Sequence, residues 1–322
     1  MKHLYKFIAL VFIFMIGIAF FSKSIPSISV STTTASSIQD STFPMVYLQV
    51  GESFINPLHG YSSELNSSTV RESITPLDTG KTFAVNIAEN DSKIKKLSYE
   101  LRDIANNKSI ETGDITAFDK NKKYKVATVR LKEAMDTSTE YGFCMTLITN
   151  YSKKIHFYTR IKYYDNDFFL SQKLDFVAKF HAATFDQGNS LDLSQYLESG
   201  TNDDSSYESV DIHSSRKLIT WGKLKPKKLT DVVPTVKELN IETAAISQTY
   251  FVSATTASGS ETYQVKEFYR VRYSGGRIYL LYFKRTMEAI FDPSLISINK
   301  SEVKIGISST EDLDITSSDS NK

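Results

Sequence analysis

Cysteine is nearly absent from the chain: Cys144 is alone among 322 residues, so no internal disulfide can form. Glycine (13) and proline (7) are also scarce, which excludes collagen-like and other low-complexity folds. Neither sign of charge is in excess, because the chain has 38 basic and 37 acidic residues, and this balance does not indicate a nucleic-acid partner. The chain is therefore either cytosolic or an exported protein with a core large enough to do without disulfides.

Motifs of catalysis are missing as well. There is no Gly-x-Ser-x-Gly, no phosphate-binding glycine-rich loop, no His-Glu-x-x-His and no Cys-x-x-Cys. The five histidines are scattered singly, and His181 has no second ligand three or four residues away, so we expect no metal site and no cofactor. We predict a protein that is not an enzyme and has no catalytic residue. A hydrolase with two carboxylates distant in sequence is the catalytic alternative.

The N-terminus has the pattern of an export signal. Lys2 and Lys6 precede fifteen residues without a polar side chain, from Phe7 to Phe21. This run spans about 22 Å at about 1.5 Å per residue, against a hydrocarbon core of about 30 Å, and flanking residues can extend it. We predict a membrane anchor over residues 1–25 in the cell membrane, single-pass, with the C-terminal body extracytoplasmic. Secretion after signal cleavage is the alternative.

The predicted anchor offers four contact positions. Phe7, Phe14 and Phe21 are bulky, whereas Gly17 is small enough to let a second helix approach closely. The partners expected for this segment are the lipid bilayer and another membrane protein. Bacterial origin is favoured, since the Asn-x-Ser sequons of the chain are expected by chance in a sequence this rich in Asn, Lys and Ser.

The remaining sequence is predicted to be mainly β (α+β). Ten of the sixteen residues from Ser27 to Thr42 are Ser or Thr, so residues 26–43 are a tether. Apolar and polar residues alternate in several segments of 44–165, which favours an antiparallel β-sandwich domain. Residues 210–307 form a second antiparallel β-meander domain with a hairpin turn at Gly275-Gly276, and 308–322 is a polar tail.

Residues 166–209 between these domains are predicted to be a helical connector and linker. Apolar side chains and His181 recur at helical spacing from Leu170 to Phe185, which indicates one amphipathic helix. Asn166 or Asp167 is the expected N-terminal cap. On this stripe His181 is expected to be a hydrogen-bonded histidine of the core or its boundary.

A cationic stretch is the main candidate binding site. Its residues are Arg216, Lys217, Lys223, Lys225, Lys227 and Lys228, with Trp221 among them. Such a patch fits anionic lipid headgroups, an anionic wall polymer or an acidic partner surface. A solvated loop beside a strand has the same composition and is the structural alternative.

Residues 268–291 read FYRVRYSGGRIYLLYFKRTMEAIF, in which 278–283 is apolar on both faces and predicts a covered central strand. With the basic tail, one membrane helix and β-rich domains, this stretch resembles the YycH-type extracytoplasmic regulators of bacteria. The resemblance implies modulation of a cell-wall histidine kinase through membrane-helix contacts, and it implies no functional residue. We expect a membrane-anchored extracytoplasmic regulatory or interaction protein. The alternative is a cell-surface β-domain module that binds a glycan, peptide or anionic wall polymer.

Overall fold

A computed structural model of the chain describes residues 43–66, 70–121, 123–186, 191–198, 206–256 and 259–290, with a few isolated positions outside these ranges. Two compact units are present, one made of residues 1–39 with 293–304 and one of residues 40–292 with 305–322. The second unit, called the body, contains all three large sheets and the helices Leu170–Phe185 and Arg216–Ile219.

In the first unit, the described positions 6, 11, 14 and 15 are helical, and Phe14 is 67% exposed. Phe7, Gly17 and Phe21 lie outside the described residues, as do nearly all of the predicted tether and the polar tail. Two short strands, Ser297–Ile298 and Val303–Lys304, pair with each other. No helix among the described residues has both the length and the apolar character that a membrane span requires.

The body begins with an antiparallel sheet of five strands. In chain order these are β1 (Met45–Val50), β2 (Ser53–Leu58), β4 (Thr82–Ala88), β7 (Asp119–Asn121) and β8 (Tyr124–Arg130), and their order in the sheet is β2-β1-β4-β8-β7. Alternate residues of β1 are buried, as the two-residue repeat of a strand requires. The alternation predicted for this region is thus present in the fold.

A second sheet lies against the first. Its strands are β3 (Ile74–Leu77), β5 (Ile94–Asp103), β6 (Ser109–Ile115), β9 (Glu140–Thr149) and β10 (Lys154–Tyr163), in the order β3-β10-β9-β5-β6. Phe83 of the first sheet and Phe143 of the second meet edge to face, with ring centroids 5.3 Å apart. The mainly β fold is therefore confirmed, with the difference that β3 runs parallel to β10.

The third sheet contains the longest strands. It consists of β11 (Ser209–Asp211), β12 (Lys227–Lys228), β13 (Thr235–Leu239), β14 (Thr243–Thr256), β15 (Gly259–Ser274) and β16 (Arg277–Ala289). The order is β11-β16-β15-β14-β12, and β13 also pairs with β14. Gly275 and Gly276 have φ of 58° and 75°, so the hairpin turn predicted there is confirmed.

Part of β16 differs from its prediction. Residues 278–283 were expected to be covered on both faces, but Tyr279, Leu281 and Tyr282 are 41%, 43% and 40% exposed. The prediction of a covered central strand is wrong for two reasons. The strand β11 pairs only with 284–286, so 278–283 lie at the edge of the sheet, and the helix Leu170–Phe185 packs on the face of Phe283 and not on the face of Tyr282.

The predicted amphipathic helix is α1 (Leu170–Phe185), and it packs on the third sheet through Phe180, whose ring lies 5.0 Å from that of Phe283. The predicted cap is wrong. Phe169 precedes the helix at φ 49° without a side-chain cap, because Asp167 accepts a hydrogen bond from the Phe169 N–H instead. Lys173, fully buried in the first turns of α1, donates to the carbonyls of Phe168, Asn240 and Ile241 at 2.8 to 2.9 Å.

One buried side chain joins all three sheets. Asn56 of β2 donates from its amide to the Ile74 carbonyl of β3 (2.8 Å) and accepts from the Val236 N–H of β13 (2.9 Å). The backbone N–H of Asn56 donates to the Pro234 carbonyl, and Asn56 itself has a φ of 53°. Hydrogen bonds therefore connect the segments 44–165 and 210–307, and the predicted domain boundary between them stays a prediction.

Candidate functional site

A cleft of about 750 Å³ opens between α1, β2 and the segment that follows β12. This volume lies within the range of about 300 to 1,000 Å³ that is typical of small-ligand sites. One face of α1 supplies a wall at helical spacing, from Ser171 to Ala182. The opposite side is formed by residues 52–54 and 228–234.

Two buried polar side chains line the cleft. His181 of α1 is 5% exposed and Gln248 of β14 is 4% exposed. Neither His181 Nε2 nor Gln248 Oε1 has a hydrogen-bond partner among the described residues. A buried polar atom without a partner costs about 1–3 kcal/mol. A ligand group that enters the cleft and bonds these atoms would remove that penalty.

The other nitrogen of His181 belongs to a buried network centred on Glu267 of β15. His181 Nδ1 lies 2.8 Å from Glu267 Oε2, and the hydroxyls of Tyr250 and Tyr269 donate to the same carboxylate at 2.9 and 2.8 Å. Burial raises the pKa of Glu267, but its interactions with His181, then with Arg285 and Tyr269, outweigh burial and hold the pKa below its ordinary value. Because an ionised carboxylate only accepts, the hydrogen bond between these two side chains is donated by His181 Nδ1.

Arg285 balances the charge of Glu267. The two residues face each other across β15 and β16, and both are fully buried. The guanidinium donates to the carbonyls of Leu218 and Ile219, each at 2.8 Å, and lies 3.5 Å from the centre of the Trp221 ring. This stack fixes the backbone of the short helix α2 (Arg216–Ile219) to the sheet.

The sequence-predicted binding residues separate into two groups. We call Arg216, Lys217, Lys223, Lys225, Lys227 and Lys228 the cation segment; all six are exposed. None forms an ion pair with any residue in the described part of the chain. Trp221, in contrast, is 1% exposed, so its assignment to the patch is wrong. The ring of Phe185 and the guanidinium of Arg285 cover the indole.

Other candidate chemistry lies apart from the cleft. Cys144 is on β9, and burial raises the pKa of its thiol to about 11, so little thiolate is present at neutral pH. Among the residues that the structure describes, no three His, Cys, Asp or Glu side chains are placed to hold a metal ion.

Sequence reasoning missed the cleft, Glu267 and Gln248. A signal for Glu267 was available, since the strand alternation of Val265, Tyr269 and Val271 places this carboxylate on a buried face. The hydrogen bond of His181 agrees with the histidine expected at the core or its boundary. No protein-family model matches the chain, and no curated protein matches its sequence.

Proposed function

We propose that this chain is a membrane-anchored extracytoplasmic interaction protein, non-catalytic, which binds an anionic surface polymer through the cation segment. The observation that carries the proposal is the exposure of six cations within thirteen residues, none paired with a described acid. A solvated loop would expose the same charges, but its backbone would not be fixed to the sheet.

Several contacts hold the backbone of the cation segment in place. Arg285 binds the carbonyls of residues 218 and 219, β12 pairs with β14, and the Leu229 N–H bonds the Phe251 carbonyl at 2.8 Å. A preorganised surface loses less conformational entropy on binding than a free loop does. This rigidity favours recognition over simple solvation.

The expected strength follows from the charges. A cation near an anionic surface contributes about 1 kcal/mol, so six contribute at most about 6 kcal/mol. Salt screens exposed charges beyond a Debye length of about 8 Å at physiological ionic strength. Binding through this segment is therefore weak for a free molecule, and the predicted anchor would strengthen it by raising the local concentration.

The test compares two triple variants of the full chain in neutral detergent. The first replaces Lys223, Lys225 and Lys227 with glutamine; the control replaces Lys95, Lys108 and Lys120, which are exposed on the sandwich. Long-chain polyphosphate is the probe, titrated at two salt concentrations. We expect the first variant to bind at least tenfold more weakly and with a shallower salt dependence, and the control to bind like wild type. Equal binding by all three proteins would refute the proposal.

A regulatory role through the membrane segment is the second candidate. It rests on the phenylalanines of residues 7–21, of which Phe14 is described and 67% exposed. Contact with a membrane sensor kinase would then run through the helix. Exchanging residues 4–25 for an unrelated membrane helix tests this, with co-purification of membrane proteins as the assay. Loss of a partner supports helix contact, whereas unchanged co-purification rejects it.

A further inference from the structure

We propose that the cleft between α1, β2 and the segment after β12 binds an alkylammonium group, from either a lysine side chain or a free polyamine. This site is separate from the three lysines tested in the cation segment, since Lys223, Lys225 and Lys227 do not line the cleft. The two proposals can therefore fail independently.

The rim of the cleft carries an excess of negative charge. Glu52, Asp175 and Asp231 line it with exposed carboxylates, and none of them forms an ion pair with a described residue. Lys228 is the lining residue with an ammonium group, and its Nζ lies 5.1 Å from the centre of the Phe185 ring. Three carboxylates against one ammonium favour a cationic ligand over an anionic one.

Buried polar side chains provide a second, independent observation in favour of an alkylammonium ligand. His181 and Gln248 are each more than nine-tenths buried, and both line the cleft. His181 Nε2 and Gln248 Oε1 have no partner among the described residues. An ammonium group has three donors and no acceptor, which complements the unpartnered amide oxygen of Gln248 behind a carboxylate rim.

The walls fit the alkyl part of such a ligand. Leu174, Ala178 and Ala182 lie along one side, and Val232 and Pro234 lie on the other. The methylene stem of a lysine or a polyamine packs well against apolar surface while its charged end stays near water or carboxylates. A compact inorganic cation would leave these walls without contact.

Calorimetric titration of the full chain in neutral detergent tests the proposal. The probes are spermidine, Nα-acetyl-lysine methylamide and the Nε-acetylated form of the latter, which has no positive charge. We expect at least one of the two amines to bind and the acetylated form to bind at least tenfold more weakly. Binding of spermidine alone identifies a free polyamine, and binding of the lysine probe identifies a peptide, and both outcomes support the site.

Variants locate the binding. Asp175→Asn combined with Asp231→Asn should weaken amine binding at least fivefold, whereas Asp119→Asn, at the opposite edge of the first sheet, should leave it unchanged. Gln248→Leu removes the unpartnered amide oxygen and keeps a similar side-chain volume, so it should also weaken binding. If that variant does not fold, the aspartate pair decides alone. Failure of both amines to bind, or equal effects of the cleft variants and the control, would overturn the proposal.

Discussion

Replacing Glu267 with glutamine should lower the free energy of unfolding of the body by about 3–5 kcal/mol, the usual effect of breaking a buried ion pair by removing one partner. The carboxylate accepts from His181, Tyr250 and Tyr269, all at 2.8 to 2.9 Å. Glutamine keeps one acceptor oxygen and turns an NH₂ group toward donors. Arg285, fully buried opposite, would lose its counter-charge.

The magnitude follows from the contacts. His181 and Tyr269 both bond Oε2, whereas Tyr250 bonds Oε1, so a glutamine with its oxygen at the Oε2 position loses the bond from Tyr250. A hydrogen bond to a charged group contributes about 1.5–3 kcal/mol. The unbalanced charge of Arg285 adds to this loss, which brings the expected range to the upper values measured for buried pairs.

Urea unfolding of the full chain in neutral detergent, followed by tryptophan fluorescence, measures the effect. Trp221 is the single tryptophan, and it lies under Arg285 in the same buried cluster, so the signal reports on this region. Glu288→Gln is the matched control, because Glu288 is exposed on β16 and its carboxylate lies 3.5 Å from the ammonium of Lys266. The control should change stability by less than about 0.5 kcal/mol. A loss for Glu267→Gln no larger than that of the control would refute the reasoning.

Three further predictions concern pH and reactivity. Since the pKa of Glu267 is lowered in the fold, its stabilisation should be present above about pH 4.3 and be lost as the pH falls further, and urea midpoints between pH 5 and 3 should fall more for wild type than for Glu267→Gln. Burial lowers the pKa of Lys173 from 10.5 to about 8, so the unfolded chain binds more protons than the folded chain between these pH values. As the pH rises from 8 to 10.5, the free energy of unfolding of wild type should therefore increase by up to about 3 kcal/mol relative to that of Lys173→Met, measured by the same assay. A constant difference would contradict this. With the pKa of its thiol raised from 9.0 to about 11, Cys144 should react about 100-fold more slowly with a disulfide reagent at pH 8 in the folded chain than in urea, and equal rates would contradict its burial.

Local sequence patterns predicted the type of each helix or strand better than they predicted which elements pack or pair with it. The alternation of β5 and the helical spacing of α1 depend on contacts each element makes along one face, and these are visible in the sequence. The parallel pairing of β3 with β10 joins segments more than 80 residues apart, and no local pattern encodes it. The exposure of Tyr282 depends on which face of the sheet the helix α1 covers, and residues 278–283 do not encode that choice.

The same limit applies to the candidate site. Charges around Trp221 indicated a surface, but a guanidinium 64 residues further along the chain covers the indole. His181 was visible as part of an apolar stripe, whereas its partner Glu267 comes from a strand 86 residues away. The cleft depends on which loop crosses α1, and composition does not determine that path. Exposure of the lysines, in contrast, follows from their own solvation.

The bonds of Asn56 have a consequence for how the body loses its structure. This residue lies on a strand of the first sheet and bonds one segment from each of the other two sheets. Opening at this point would leave buried polar groups without partners on every sheet at once, which disfavours partial unfolding of any one of them. The sheets should therefore behave as one cooperative unit, and a fragment that ends before Pro234 would lack the carbonyl and the N–H that Asn56 of the first sheet bonds.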